Sequence, residues 1–295
     1  MNAVRDSVGA KGVRSIAIYG RTGVGKTVVS LNLAVALSRA GHRVLLAGCG
    51  CKPDPAVPLR GDIPAPTLLG LLRECPSASP VDAVRQGFAG VFRIETGYTD
   101  AVNSRLSTAS AIQRIHESGL FEELNLDYVI YNVQGDESGG NFTVPIRSGP
   151  FRKIFTVMSA ELNSVRTTNS LFDLIRKYSR QGGARAGGII ANFIDMPYSR
   201  TLIDDYAART AMNVLTYIPR ISLLENPEPR EKSIFETAPD SLTAEAFANL
   251  AMKIATFGES RVPYPLVPDD IWKFSTKWNT RFIEMETGEG AGGCI

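Results

Sequence analysis

The sequence predicts an α/β fold: a mainly parallel sheet with helices on both faces, extended by a C-terminal helix. Three observations predict it. Short continuous apolar runs of strand length recur along the chain, amphipathic helical patterns alternate with them, and a glycine-rich loop joins the first strand to the first helix. Strands that are apolar on both faces need cover on both faces, and the intervening helices supply it.

The alternation begins with VRSIAIYG, a β-branched and apolar run, followed by TVVSLNLAVALSRAG, a helix that stops at Gly41. HRVLLAGC reads as a second buried strand, TLLGLLREC as a short helix after a Pro-rich loop, and GVFRIETG as a strand. TASAIQRIHESG and LDYVIYNV form a helix and strand, then RKIFTVMS and ELNSVRTTNSLFDLIRKYSR a strand and helix. AGGIIANF, YSRTLIDDYAARTAM, NVLTYIP and the strongly helical SLTAEAFANLAMKIATF continue the pattern. RVPYPLVP is the one clear break, and it sets off a last helix, DDIWKFSTKWNTRFIEM, and the tail GEGAGGCI. No internal repeat is visible. The expected organisation is an N-terminal extension over 1–13, a nucleotide-binding domain over 14–258 and a C-terminal helix and tail over 259–295.

Composition bounds the function classes. At 295 residues, 44% hydrophobic and 21% charged, the chain reads as a soluble globular protein. A formal charge of +2 with interspersed signs gives no nucleic-acid-binding surface. No apolar run reaches membrane-spanning length, and the first residues lack a secretory signal, so the expected location is the cytoplasm. The cysteines are Cys49, Cys51, Cys75 and Cys294. In a cytosolic chain they read as free thiols or metal ligands rather than a disulfide framework.

Gly20-Arg-Thr-Gly-Val-Gly-Lys-Thr27 matches the phosphate-loop pattern and stands where its mechanism needs it, after a strand and at the start of a helix. Backbone N–H groups freed by Gly20, Gly23 and Gly25, with Val24 between them, would ring the phosphates of ATP or ADP. Lys26 would reach the outer phosphates and Thr27 would ligate Mg²⁺. The fold implied is that of the P-loop NTPases.

Arg21, directly after the first glycine, makes the loop similar to the deviant phosphate loop of the ParA, MinD and nitrogenase iron protein superfamily. There a basic residue at this position reaches the partner subunit's nucleotide. Within that superfamily AIYGRTGVGKT, GHRVLLAGCGCKPDP, LDYVIYNVQGDESGGNFTVPIR and AGGIIANF resemble the nitrogenase iron protein and the related reductases of tetrapyrrole biosynthesis, collinearly from about residue 14 to residue 257. The resemblance implies a homodimer binding MgATP, with one 4Fe–4S cluster held at the dimer axis by two cysteines from each subunit, docking to a larger partner protein. It also implies roles for Lys52 and Asp54 in the loop after the second strand, and for Gly135 and Asp136 in the loop after LDYVIYNV. Asn192, Pro219 and Arg220 would lie near the nucleotide base. C-terminal extensions in this family help hold the dimer.

The departures from the family pattern are chemical. Gly48-Cys-Gly-Cys-Lys52 stands for Gly-Cys-Asp-Pro-Lys, so Gly50 replaces an acid thought to act on the attacking water. Asn132-Val-Gln-Gly135 stands for Asp-x-x-Gly, and an amide carries no charge and cannot act as a base. The cluster-ligand contexts read Ser138-Gly139-Gly140-Asn141-Phe142 and NSRLSTAS, with Arg105 nearest one ligand position, and residues 76–293 contain no cysteine. No family-type 4Fe–4S cluster is therefore expected. Slow hydrolysis through Lys26, Lys52, Asp54 and Asp136 stays open.

The leading expectation is a nucleotide-binding regulatory, assembly or docking subunit, a homodimer with a nitrogenase-like or tetrapyrrole-reductase-like partner. Two alternatives stand beside it. One is an ATP-dependent reductase whose metal site has moved to Cys49, Cys51 or Cys294; the other is a MinD-like membrane ATPase. In the last helix Ile271, Phe274, Trp278, Phe282 and Met285 share a face. Only Lys273, Lys277 and Arg281 are basic there, against Asp269, Asp270, Glu284 and Glu286, which favours protein packing over a membrane surface.

Overall fold

The structure, a computed structural model, describes residues 12–49, 66–97, 107–133, 146–147, 151–221, 232–256 and 260–287. Its centre is an eight-stranded sheet: β1 (Arg14–Tyr19), β2 (Val44–Cys49), β3 (Arg85–Gln86), β4 (Phe92–Glu95), β5 (Tyr128–Val133), β6 (Lys153–Met158), β7 (Arg185–Ile194) and β8 (Val214–Pro219). The spatial order is β3-β4-β2-β5-β1-β6-β7-β8. Every pairing is parallel except that of the two-residue β3 with β4. Sequence patterning does not find β3, because two residues carry no period.

The period-two alternation within each strand divides the core. Ala17, Tyr19, Leu45, Ala47, Val129 and Tyr131 face one side, and Ile16, Ile18, Val44, Leu46 and Ile130 the other. Helices α2 (Leu68–Glu74), α3 (Thr108–Glu117), α4 (Leu120–Glu123), α5 (Leu162–Ser179) and α6 (Pro197–Arg209) contribute to the first face. The second face is covered by α1 (Lys26–Arg39), α7 (Ile234–Thr237) and α8 (Leu242–Thr256). Helix α1 is buried along most of its length, through Val29, Leu33 and Leu37 among others, because it lies between the sheet and α8.

The Pro-rich segment is a break in secondary structure but not in packing. Arg261 pairs with Ala186 as an isolated antiparallel bridge, and the Tyr264 N–H donates to the Thr210 carbonyl at 3.0 Å. The Asn169 side chain both donates to the Leu266 carbonyl, at 2.9 Å, and accepts from its N–H, at 2.8 Å. A single amide thus closes a two-bond clamp on the extended backbone, which proline rings cannot satisfy by a ladder of their own.

The clamp delivers α9 (Pro268–Thr287) onto the first face of the sheet. Phe274 and Trp278 are buried there, and Ile271 and Phe282 pack partly against the same cluster. Four of the five residues expected on one face thus turn inward, and Met285 is exposed. Trp272, on another side of the helix, is also exposed. Among the described residues no helix is long and apolar enough to cross a membrane.

Asp205 on α6 ties down α9. Its Oδ2 accepts from Lys277 Nζ at 2.8 Å and Trp278 Nε1 at 3.1 Å, and its Oδ1 accepts from Arg209 Nε at 2.8 Å. Burial alone would raise this carboxyl, but the bonds from Lys277, Arg209 and Trp278 outweigh it and hold the group at about 2, against an ordinary 3.8. A carboxyl depressed in the folded state adds stability above its unfolded value and loses it as pH falls toward its folded value. Acid unfolding followed by tryptophan fluorescence should therefore show about 2 kcal/mol being lost between roughly pH 4 and pH 2. In Asp205→Asn that part of the acid dependence should be missing, and the neutral-pH stability lower by a similar amount.

Candidate functional site

The site lies at the carboxyl end of the central strands. β1 is flanked by β5 and β6, so the chain leaves β1 toward one edge of the sheet and later returns on its other side. That reversal opens a crevice beyond the strand ends, where ligands of open α/β sheets bind. The glycine-rich loop fills the turn from β1 into α1.

Three glycines of the loop have positive φ: Gly20 at 154°, Gly23 at 82° and Gly25 at 89°. Gly25 is the N-cap of α1 in the left-handed conformation, has no side chain with which to cap it, and is followed by no acidic residue in the first turn. The helix therefore presents its first N–H groups and positive dipole end with no acidic side chain of its own first turn to neutralise them. This is a cradle suited to a phosphate group.

Lys26 is buried, and its Nζ donates to the Arg21 carbonyl at 2.9 Å, which folds the lysine back over the loop. The same carbonyl accepts from the Val24 N–H at 3.3 Å. Val24 is itself buried in the core on the α1 side. Asn192, at the end of β7, sits beneath the loop and donates through Nδ2 to the Val24 carbonyl at 2.9 Å. In the structure its described role is to brace the loop, a role that pattern matching to a base-contacting position does not reveal.

Thr27 Oγ1 accepts from Asn132 Nδ2 at 3.1 Å. Asn132 is 5% exposed, and its Oδ1 has no hydrogen-bond partner among the described residues. A buried carbonyl oxygen left unsatisfied next to a threonine hydroxyl fits a hydrated cation better than an empty apolar space. Thr27 and Asn132 thus fit the surroundings of a magnesium ion, with the charge of an aspartate missing.

Arg21 and Arg220 flank the loop at the surface. Arg21 pairs with Glu161, the residue just before α5, at 2.7 Å, so within one chain its guanidinium is directed at its own domain. Arg220 follows Pro219 at the end of β8, pairs with Asp195 at 3.3 Å and lies over the Phe193 ring at 4.8 Å. Phe193 adopts a positive φ of 58°, which turns the chain between Asn192 and Asp195. Gly20, Arg21, Gly23, Val24, Gly25, Lys26, Thr27, Asn132 and Asn192 are thus brought together, and Pro219 and Arg220 border them. Lys52, Asp54, Gly135 and Asp136 lie outside the described residues, as do Cys51 and Cys294.

Two described thiols bear on iron chemistry. Cys49 is buried at the end of β2, and burial, reinforced by the Glu95 charge, pushes its thiol far up. A neutral buried thiol is a poor metal ligand, because the thiolate is the ligating form. Cys75 is exposed at the end of α2, where the Ser77 hydroxyl lowers its pKa. Among the described residues no three His, Cys, Asp or Glu side chains gather to hold a metal.

The sequence profile of a family described as 4Fe-4S iron sulfur cluster binding proteins, NifH/frxC family, matches residues 14–280. Nitrogenase iron protein 2 of Paenibacillus durus is 38% identical over 281 residues, covering 95% of this chain and 96% of that protein. The MinD cell division protein of Aquifex aeolicus has a similar fold, with a TM-score of 0.64 at 18% identity over 84% of this chain and 98% of that one. So does cobyrinic acid a,c-diamide synthase of Mycobacterium smegmatis, solved with a bound ATP analog and magnesium. Its TM-score is 0.59 at 17% identity, over 85% of this chain and 99% of that one.

Proposed function

The chain belongs to the NifH/frxC family, and from that premise we propose that it is a nucleotide-dependent regulatory, assembly or docking subunit without the family's iron–sulfur cluster. It binds ATP or ADP with Mg²⁺ at the loop from Gly20 to Thr27, as a homodimer, and responds to nucleotide by engaging a larger nitrogenase-like or tetrapyrrole-reductase-like partner. The observation that carries this reading is the pairing of an intact loop with Asn132. Lys26 and the start of α1 keep the phosphate cradle, while the residue against Thr27 has lost its charge.

The roles follow from the chain's own groups. The N–H groups at the start of α1 and the Lys26 ammonium would hold the phosphates, and Thr27 would hold the cation. Asn192 keeps the loop in shape through Val24, and Arg220 with Phe193 offers a charged and aromatic edge where the base would lie. In an active dimer Arg21 leaves Glu161 and turns toward the partner's nucleotide. That exchange costs little, because an exposed ion pair contributes about 0–1 kcal/mol. With Asn132 unable to take a proton or carry charge, and Gly50 in place of an acid, hydrolysis is slow. Loss of a positioned base is worth roughly 10²-fold or more in rate.

The absence of cysteine over residues 76–293 supports the loss of the cluster. A second reading, an ATP-dependent reductase with a relocated cluster, is favoured by the family's own description as cluster-binding proteins. Iron and acid-labile sulfide per subunit after anaerobic purification separate the two. Iron near zero, with saturable binding of a fluorescent ADP, is the expected result. About two irons per subunit, one cluster per dimer, would sink the cluster-free reading and return the reductase.

A further inference from the structure

The strand ends beside Asn132 hold a buried acid that the site as described leaves unused. In the sheet register Asn132 lies beside Gly48, and Gly48 lies beside Glu95. Residues in register on neighbouring parallel strands point to the same face, so Asn132, position 48 and Glu95 form one row toward α1. Position 48 has no side chain. A Cβ built there would collide with both carboxylate oxygens of Glu95. The Glu95 carboxylate therefore leans across β2, over the glycine, toward Asn132. It fills the space over Gly48, and the strand that carries Asn132 is one strand spacing, about 5 Å, from β2.

We propose that Glu95 supplies the anionic acceptor that Asn132 lacks, its charge shared with Arg93, acting on the cation beside Thr27 from one strand away through bound water. Four observations support the assignment besides the register. Glu95 is 7% exposed, and a buried carboxylate is retained at a cost that its surroundings must offset. Its Oε1 accepts from Arg93 Nε at 3.1 Å and from an Arg93 terminal nitrogen at 2.8 Å, which fixes the carboxylate from behind, on its own strand. The Thr96 N–H donates to the Gly48 carbonyl at 2.9 Å and locks the end of β4 against β2. On the other side of the row, Asn132 carries its Oδ1, which has no partner among the described residues. A water bound to the cation would find an acceptor in each of the two side chains.

The inference rests on the proposed nucleotide site, and its test keeps the two apart. The affinity of mant-ADP is measured in millimolar magnesium and in EDTA, for the wild-type full-length protein and for two variants. Glu95→Gln leaves a buried arginine without its anion, so the second variant, Arg93→Met with Glu95→Gln, removes the pair together and keeps the protein folded. The expected result is a magnesium-to-EDTA affinity ratio that falls about tenfold or more in both variants, the usual effect of removing a partner of a metal's ligand shell. Adding Asn132→Asp to the double variant should restore the ratio. A merely structural role would weaken binding equally with and without magnesium, and that result overturns the inference. A wild-type ratio of one overturns it as well, leaving the nucleotide site intact. Wild-type protein that binds no mant-ADP in either buffer refutes the nucleotide site, and the inference falls with it.

Discussion

Gly25→Ala should abolish nucleotide binding in a protein that still folds. Gly25 has a φ of 89°, where an L side chain costs about 1–2 kcal/mol. The added methyl would also land on Asn192 Nδ2, with the Phe193 ring at 3.3 Å. Asn192 can yield only by giving up its bond to the Val24 carbonyl, a further loss of about 1 kcal/mol. The strain is small against the stability of a domain this size, so circular dichroism should show a native spectrum. The geometry of the cradle is less tolerant. Releasing Val24 and moving the N-cap of α1 displaces the N–H groups that must converge on a phosphate, and the expected affinity loss is about 100-fold or greater. Gly23→Ala is the control. Gly23 has a similar φ of 82°, but a Cβ there meets nothing within 4 Å. It should carry the backbone strain and keep measurable binding. Equal mant-ADP affinities for the two variants would show that collision with Asn192 is not what matters.

The contrast between those glycines marks the limit of sequence reading. The loop pattern and its place between an apolar strand and a helix are local properties, and both are visible in the order of residues. The consequence of a methyl group at position 25 depends on Asn192, which is 167 positions away and reaches the loop only because β1, β6 and β7 are neighbours. Glu95 shows the same limit more sharply. In sequence it is one acid at the end of a short strand. Its meaning comes from Gly48 and Asn132, residues of two other strands brought beside it by pairing. Family resemblance carries the position of Asn132 but not its environment. The unpartnered Oδ1 and the contact with Thr27 Oγ1 appear only once α1 has been laid over β5. Long elements were legible for the opposite reason: α5 and α8 carry enough turns for their periodic pattern to outweigh local exceptions, and α1 is a long apolar run bounded by Gly25 and Gly41. The four-residue helices α4 and α7 and the two-residue β3 are too short for any pattern, and tertiary contacts form them. The Asn32 side chain, for example, accepts from the Ile234 N–H at 2.7 Å and fixes the start of α7 against α1.

Trp278→Ala should destabilise the whole protein by about 3–5 kcal/mol, the range for removing a large buried aromatic side chain. The indole is 1% exposed, with the Phe274 and Phe282 rings 6.3 and 6.1 Å away and the Arg281 guanidinium over its face at 5.1 Å. Alanine would leave a cavity between α9 and α6 and remove one of three donors from Asp205. Trp278→Phe separates these effects. It keeps much of the ring volume and loses the 3.1 Å bond from Nε1, so it should cost about 1–2 kcal/mol beyond any packing adjustment. Trp272→Ala, on an exposed residue of the same helix, should change stability by no more than roughly 0.5 kcal/mol. Urea unfolding of the three variants decides whether α9 belongs to the core or is an appendage. If Trp278→Ala unfolded at the same midpoint as Trp272→Ala, the helix would be held only loosely. If the large loss is found with a single transition, the clamp at Asn169 and the anchor at Asp205 join α9 to the sheet as one cooperative unit. The exposed side of α9 would then be a fixed surface for a second subunit or a partner, with no prior folding step needed to present it.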